Sequence, residues 1–327
     1  VKTQTKGITL KNGGVIKPVV IDCSLGTTGE GPPSIFGGVS HNNVIDTDNA
    51  TIILKSITRF QKPGNFGSSI FSTDGWAMSS FFIPLPKKFC YFSFLGLTIN
   101  SLGLPNEGID EFFENDWETI VRIGKKVIIS IFVEFGSGSE DDIEQAYENA
   151  VYMMNKIEEE TAGSDLLVAV IFNASCPNLK EGVCSTTDGI VECAKRMKEA
   201  TPSIALGVKL SYVQPVSLGV RLHKEAKVDF LQGINTIPWK ILFPRLPSIL
   251  SHIGGGGISG PLIRQKALEY VTELRRLIPD AKIIAGGGIS SLEDAIERSE
   301  IADVLAIGIL VNKKPNLVNT IIYHFNN

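Results

Sequence analysis

The segment Asn173-Ala174-Ser175-Cys176-Pro177-Asn178 sets a thiol among amides and a hydroxyl, with a proline fixing its turn. Asparagine offers donor and acceptor together, which suits a neutral, amide-bearing ring better than a phosphate. A thiol held beside such a ring can serve as a nucleophile or as a base in proton transfer. None of the histidines (His41, His223, His252, His324) is near it in sequence to activate it. Cys23, Cys90, Cys184 and Cys193 read as inert packing residues. Lysine is rarely buried without a partner, so Lys55 and Lys209, at the ends of apolar runs, call for a bound anion or an electron-rich ring. Snorkelling to a rim is the bland alternative. Glycines gather at 254–257, at Gly260, at Gly286-Gly287-Gly288 and at Gly308. Any one can merely close a turn. Clusters at neighbouring strand ends point to backbone N–H groups approaching a phosphate.

Those residues need elements to position them. Short, nearly continuous apolar runs occur at 18–23, 51–54, 127–133, 166–172, 204–210, 228–234, 281–285 and 302–307, as expected of parallel strands buried on both faces. Amphipathic stretches of helical length separate them, at 139–161, 189–200, 261–277 and 292–299. Ser290 with Glu293 three residues on reads as a capping box for the last. Eight strand–helix units without a linker predict an α/β chain folded as one (β/α)8 TIM barrel over 1–327. An open doubly wound sheet is the alternative. Chemistry in a barrel gathers at the C-terminal strand ends, where Lys55-Ser56, the Asn173–Asn178 segment, Lys209, Asn235-Thr236 and the glycines fall. Helices starting near Ser290 and Pro315 would add their dipoles to a phosphate site. A long aromatic-rich insertion after the second strand, roughly 60–100, carries ten of the 26 aromatics and reads as a packed excursion, a lid or a subunit contact.

Composition narrows the partners. The 327 residues are 43% hydrophobic and 20% charged, enough to bury a large core. Lys plus Arg is 31 against 35 Asp plus Glu, a net charge of −4, which gives no drive toward nucleic acid or anionic lipid. No apolar run approaches the roughly 18 residues of a membrane span, and the start lacks a signal-peptide pattern. Five cysteines without a C-x-x-C pair describe reduced thiols, with no metal site and a cytoplasmic location expected.

In order along nearly the whole chain, Asn100-Ser101-Leu102-Gly103-Leu104-Pro105-Asn106, Asn173–Asn178, Gly207-Val208-Lys209-Leu210, Gly256–Pro261 and Gly286–Ile289 make the sequence resemble the dihydroorotate dehydrogenase family of flavin barrel enzymes. The resemblance implies oxidation of (S)-dihydroorotate to orotate in pyrimidine biosynthesis, with FMN as cofactor. It makes Cys176 the base that removes the C5 proton. Asn100, Asn173, Asn178 and Asn235, with Lys55, Thr236 and the Leu102-Gly103-Leu104 backbone, would bind the substrate. Lys209 would lie at the flavin N1–C2 edge, where positive charge stabilises the reduced, anionic ring. Ser24, Lys55, Ser56, Asn173 and Ile234 would be further flavin contacts, and Gly260, Gly287, Gly288, Gly308 and Ile309 the phosphate cradle. A cysteine base marks the soluble class 1 enzymes, for which a homodimer is expected. Gly103–Asn106 resembles the fumarate-using type. Ser259-Gly260-Pro261 resembles the type that reaches NAD through an iron–sulfur subunit.

The chain departs from the family pattern in several places. No Pro-x-Arg element follows Gly64-Asn65, Cys23-Ser24-Leu25-Gly26 stands where Ala-Ser-Gly is usual, Ile309 replaces a threonine, and Ala174 a bulkier residue. Two alternatives therefore stay open: a flavoenzyme for another dihydropyrimidine, and a non-catalytic FMN-binding barrel subunit.

Overall fold

The computed structural model describes residues 5–30, 44–65, 76–78, 84–86, 91–94, 97–174 and 186–327. An antiparallel hairpin opens it, β1 (Ile8–Thr9) with β2 (Val15–Ile16). Strands β3 (Val19–Asp22) and β4 (Thr51–Ile53) follow. Next come β5 (Phe60–Lys62), β6 (Trp76–Met78), β7 (Pro84–Pro86), β8 (Tyr91–Phe94), β9 (Leu97–Asn100) and β10 (Asn106–Gly108). Helices α1 (Ile109–Glu111) and α2 (Trp117–Ile123) return the chain to strand β11 (Val127–Ile131). Regular alternation then sets in, with α3 (Glu140–Glu160), β12 (Leu167–Asn173), α4 (Thr187–Ala200), β13 (Leu206–Lys209), α5 (Val216–Lys224) and β14 (Phe230–Gly233). The last third adds β15 (Ile237–Pro238), α6 (Trp239–Leu242), β16 (Gly257–Ser259), α7 (Arg264–Leu277), β17 (Ile283–Ala285), α8 (Leu292–Ser299), β18 (Val304–Ile307), α9 (Leu310–Lys313) and α10 (Pro315–Asn326).

Strands β3, β4, β11, β12, β13, β14, β17 and β18 close into a parallel barrel, each beside the next, with β18 returning to β3. Seven lie inside the runs expected from sequence, β12 runs one residue past its run to Asn173, and closure excludes the open sheet. Successive side chains on a strand point to opposite faces, so one residue of each pair turns inward. One set (Val19, Ile21, Ile52, Ile129, Val170, Val208, Leu305) packs outward against Met153, Met197, Leu222, Val271 and Val318 of the helices. The other set (Val20, Ile53, Ile128, Ile171, Phe230, Ile284, Val304) forms a separate interior cluster, joined by Ile8, Leu10 and Ile16 of the opening segment. The hairpin thus plugs the N-terminal end of the barrel. Gly207 is required here, because a Cβ on it would lie 2.1 Å from the Phe230 ring that fills the interior.

Local signals fix the helix starts. Ser139 caps α3 by accepting from the Asp142 N–H, and Glu140, Asp141 and Asp142 complement the helix dipole. The capping box of α8 is one residue later than the sequence pattern suggests: Ser291 pairs with Asp294, not Ser290 with Glu293. Ser290 instead donates both its N–H and its hydroxyl to the Asp294 carboxylate.

The insertion holds four short strands beyond β5, and part of it lies outside the described residues. Its last two strands join a four-stranded antiparallel sheet, β15-β16-β9-β8, in which Asn100 faces Gly257 and Tyr91. Strand β5 pairs with β10. Among the described residues, no helix is long and apolar enough to cross a membrane.

Candidate active site

One step up each strand from the apolar interior, the inward positions turn polar: Asp22 two residues after Val20, Ser130 after Ile128, Asn173 after Ile171, Lys209 after Gly207 and Gln232 after Phe230. This layer is hydrogen-bonded within itself. The Asn173 side-chain amide donates to Ser56 Oγ at 2.8 Å, and Ser56 Oγ lies 2.8 Å from Ser130 Oγ. Lys209 Nζ donates to both Asp22 oxygens, at 3.0 and 2.8 Å, and Gln232 Nε2 donates to Asp22 Oδ2 at 2.7 Å. Burial pushes the Asp22 carboxyl up. The Lys209 charge and the hydrogen bonds from Lys209, Cys23 and Gln232 outweigh burial and hold it below the ordinary carboxylate range.

A cavity of about 310 Å³ opens over this layer, the size of a small-molecule site. Two of its sides come from distant segments. Ser101 Oγ donates to Ile253 O at 2.9 Å, and the Asn65 amide donates to Ser101 O at 2.6 Å while its N–H donates to Leu102 O at 2.8 Å. Asn65 thereby clamps the Leu102-Gly103-Leu104 turn, in which Gly103 and Leu104 both take positive φ, 71° and 57°. The other side is the glycine loop after β17. Gly287 and Gly288 have φ near 88° and 82°, and a Cβ on Gly288 would meet the Arg264 backbone at 2.4 Å. Behind the loop Arg298 is 1% exposed and donates to the carbonyls of Gly286, Gly287 and Arg264. Burial pulls its pKa down to about 10, and its Nε has no acceptor among the described residues. A buried guanidinium that turns loop carbonyls toward itself favours an anion on the loop's other side.

The cavity brings together Ser24, Lys55, Ser56, Asn100, Leu102, Gly103, Leu104, Asn173, Lys209, Ile234, Asn235, Thr236, Gly260, Gly287, Gly288, Gly308 and Ile309, all singled out from sequence. Cys176 and Asn178 lie outside the described residues. Two expectations need correction, on Lys209 and on the helix at Pro315. Lys209 takes a protein carboxylate as partner, where sequence suggested a bound anion, a ring or snorkelling to the rim. Cys23 packs against the interior cluster, as expected of an inert packing residue, and also lines the cavity at φ 58°, donating its thiol to Leu54 O at 3.3 Å. Burial and the Asp22 charge push that thiol well up, so it stays protonated and makes a poor base. The helix starting at Pro315 does not line the cavity; Asn312 of α9 does. Asp22, Asn65 and Arg298 are the residues that sequence reasoning missed. An acid ending the apolar run Val19-Val20-Ile21 was the one available signal.

The residues fit a cofactor with a polar ring and a phosphate. Among the described residues, Gln232 Oε1 and Thr236 Oγ1 are buried without a hydrogen-bond partner, and Thr236 lines the cavity, so a ring edge that donates would satisfy it. Gly308 lines the cavity, and without a Cβ its backbone N–H is open to close approach by a phosphate.

Residues 86–326 match the family model described as Dihydroorotate dehydrogenase. The chain is 30% identical over 278 residues to "Dihydroorotate dehydrogenase B (NAD(+)), catalytic subunit" of Thermotoga maritima, covering 83% of this chain and 85% of that protein. Proteins of the same name from Parabacteroides distasonis and Malacoplasma penetrans are 32% identical over 204 residues (61% of each chain) and 26% over 217 residues (64% of this chain, 65% of that one).

Proposed function

The chain belongs to the dihydroorotate dehydrogenase family, and from that premise we propose that it oxidises (S)-dihydroorotate to orotate in pyrimidine biosynthesis, with FMN in the cavity over the polar barrel layer. The observation that carries this reading is the convergence of amides, lysines and glycine loops on one 310 Å³ cavity. Bound in this cavity, FMN would supply a hydride acceptor for the substrate's C6.

The protein's own residues do the rest. Cys176 removes the C5 proton. Asn100, Asn173, Asn178 and Asn235, with Lys55 and Thr236, orient the pyrimidine ring through its amide edges, and the Leu102–Leu104 turn closes one side. The Asn173 amide is already held by Ser56, so its direction is set before the ligand arrives. Ser24, Ser56, Lys209 and Ile234 hold the flavin ring. Gly260, Gly287, Gly288, Gly308 and the Ile309 N–H hold the phosphate, with Arg298 behind them. The relatives are named catalytic subunits of an NAD(+) enzyme. Those names support NAD over fumarate as acceptor and a partner subunit beside this one, for which the resemblance implies an iron–sulfur centre. A homodimer and a cytoplasmic location complete the reading.

The test is the visible spectrum of the purified protein, followed by dihydroorotate without oxygen. Flavin bands that bleach support the proposal. Bands that persist would move the substrate to another dihydropyrimidine, and a protein unable to take up FMN would sink the enzyme reading. Cys176→Ala should retain flavin and slow the bleaching by roughly 10²–10⁴-fold, the usual worth of a positioned base. An unchanged rate would remove Cys176 from the mechanism.

A further inference from the structure

The floor of the cavity carries a charge arrangement that the reaction itself does not require. Lys209 is 5% exposed, and its ammonium is not left to face the cavity alone: both Asp22 oxygens accept from it, at 3.0 and 2.8 Å. The carboxylate is held in turn by Gln232, fully buried, whose amide donates to it at 2.7 Å. The three side chains come from β13 and β14, which are neighbours, and from β3 across the barrel, so barrel closure brings them together. Asp22 and Lys209 both line the cavity. Whatever binds there meets a paired floor, cation and anion together, and not a lone cation.

Reducing a flavin adds two electrons and leaves negative charge on its ring, which a nearby cation stabilises and a nearby anion opposes. We propose that Asp22, acting through its pairing with Lys209, is a positioning residue that lowers the reduction potential of the bound flavin. The inference rests on the reading that the cavity holds a flavin. Its consequence is a trade. The oxidised cofactor draws hydride from the substrate less strongly, while the reduced cofactor gives electrons more readily to a low-potential acceptor of the nicotinamide class. A carboxylate retained beside a buried lysine is what such an acceptor would favour.

The experiment compares midpoint potentials of the flavin-loaded wild type and Asp22→Asn by equilibration with reference dyes. The expected result for Asp22→Asn is a reduced-to-oxidised ratio at least tenfold higher at fixed applied potential, a positive shift of about 30 mV for a two-electron couple. An unmoved or more negative potential would overturn the proposal, since a purely structural ion pair would change thermal stability and leave the potential alone. Asp22→Asn strands a buried ammonium and can fail to fold. The double variant Asp22→Asn with Lys209→Met buries no charge and decides the matter in that event. A potential within tenfold in ratio of wild type supports a paired, mutually cancelling floor; a negative shift beyond that shows Lys209 acting unopposed and refutes it. If the wild type takes up no flavin, the functional reading itself falls, an outcome distinct from a flavin whose potential ignores Asp22.

Discussion

Replacing Asn65 by alanine tests whether a residue outside the cavity governs substrate binding. Asn65 reaches the Leu102–Leu104 turn by its backbone N–H, which survives the change, and by a side-chain amide 2.6 Å from Ser101 O, which does not. Ser101 is fully buried, so water cannot readily replace the lost donor. Leaving a buried acceptor unsatisfied costs about 1–3 kcal/mol. The turn already holds Gly103 and Leu104 at positive φ, a conformation that Leu104 adopts only under restraint. If the whole cost falls on the ordered turn, orotate binds about 5- to 150-fold more weakly, at tenfold per 1.4 kcal/mol. Titrating orotate into the flavin-loaded protein and following the perturbed visible bands measures this directly. Flavin retention should not change, because the glycine loop after β17 is untouched. Asn65→Asp keeps the size and loses the donor, so it should match or exceed the alanine effect. An orotate Kd within twofold of wild type in both variants would refute the clamp.

Gly207→Ala drives a methyl into the Phe230 ring and should destabilise the barrel by about 1–3 kcal/mol or more, read as a melting temperature lower by several degrees; pairing it with Phe230→Leu should recover part of the loss. Arg298→Met should weaken inorganic phosphate or FMN binding by about fivefold, a counter-charge effect near 1 kcal/mol, in a titration of the apoprotein; unchanged affinity would leave Arg298 a packing residue. The Asp22 carboxyl titrates below its unfolded value of 3.8, so its contribution to stability is complete above that pH and disappears as pH falls through the lower folded value. The stability gap between wild type and Asp22→Asn, from denaturant melts, should therefore hold steady above about pH 5 and narrow below pH 3.8.

The barrel was legible because strands buried on both faces read as unbroken apolar runs, and each run marked its strand, with β12 alone reaching one residue further to Asn173. The strand-end residues were legible for the same reason: Lys55, Asn173 and Lys209 interrupt hydrophobic stretches where the architecture places ligands. Pairing across the barrel was not. Asp22 and Lys209 are 187 residues apart, and no local pattern announces which acid a buried lysine will find. Cys23 looked like packing because its strand neighbours are packing; it also reaches the cavity because the chain leaves β3 there with φ 58°, which breaks the strand alternation. The shift of the capping box from Ser290 to Ser291 reflects two adjacent serines that both bond Asp294, a competition settled by backbone angle. In the aromatic insertion, short antiparallel strands gave neither period clearly, and their partner strand β16 lies far along the chain.

The sheet joining β9 to β16 also bears on how the protein is made. Asn100 and Gly257 sit opposite each other across 157 residues of chain. At a synthesis rate of about 5–20 residues per second, the first segment waits about 8–30 s for its partner to be made. Throughout that interval β8 and β9 form a hairpin without its neighbour, an open edge of the kind that recruits other chains. The mouth of the site therefore cannot be completed until Gly257 has been made, and the closing pair of the barrel, β18 on β3 from Leu305 to Val19, waits longer still.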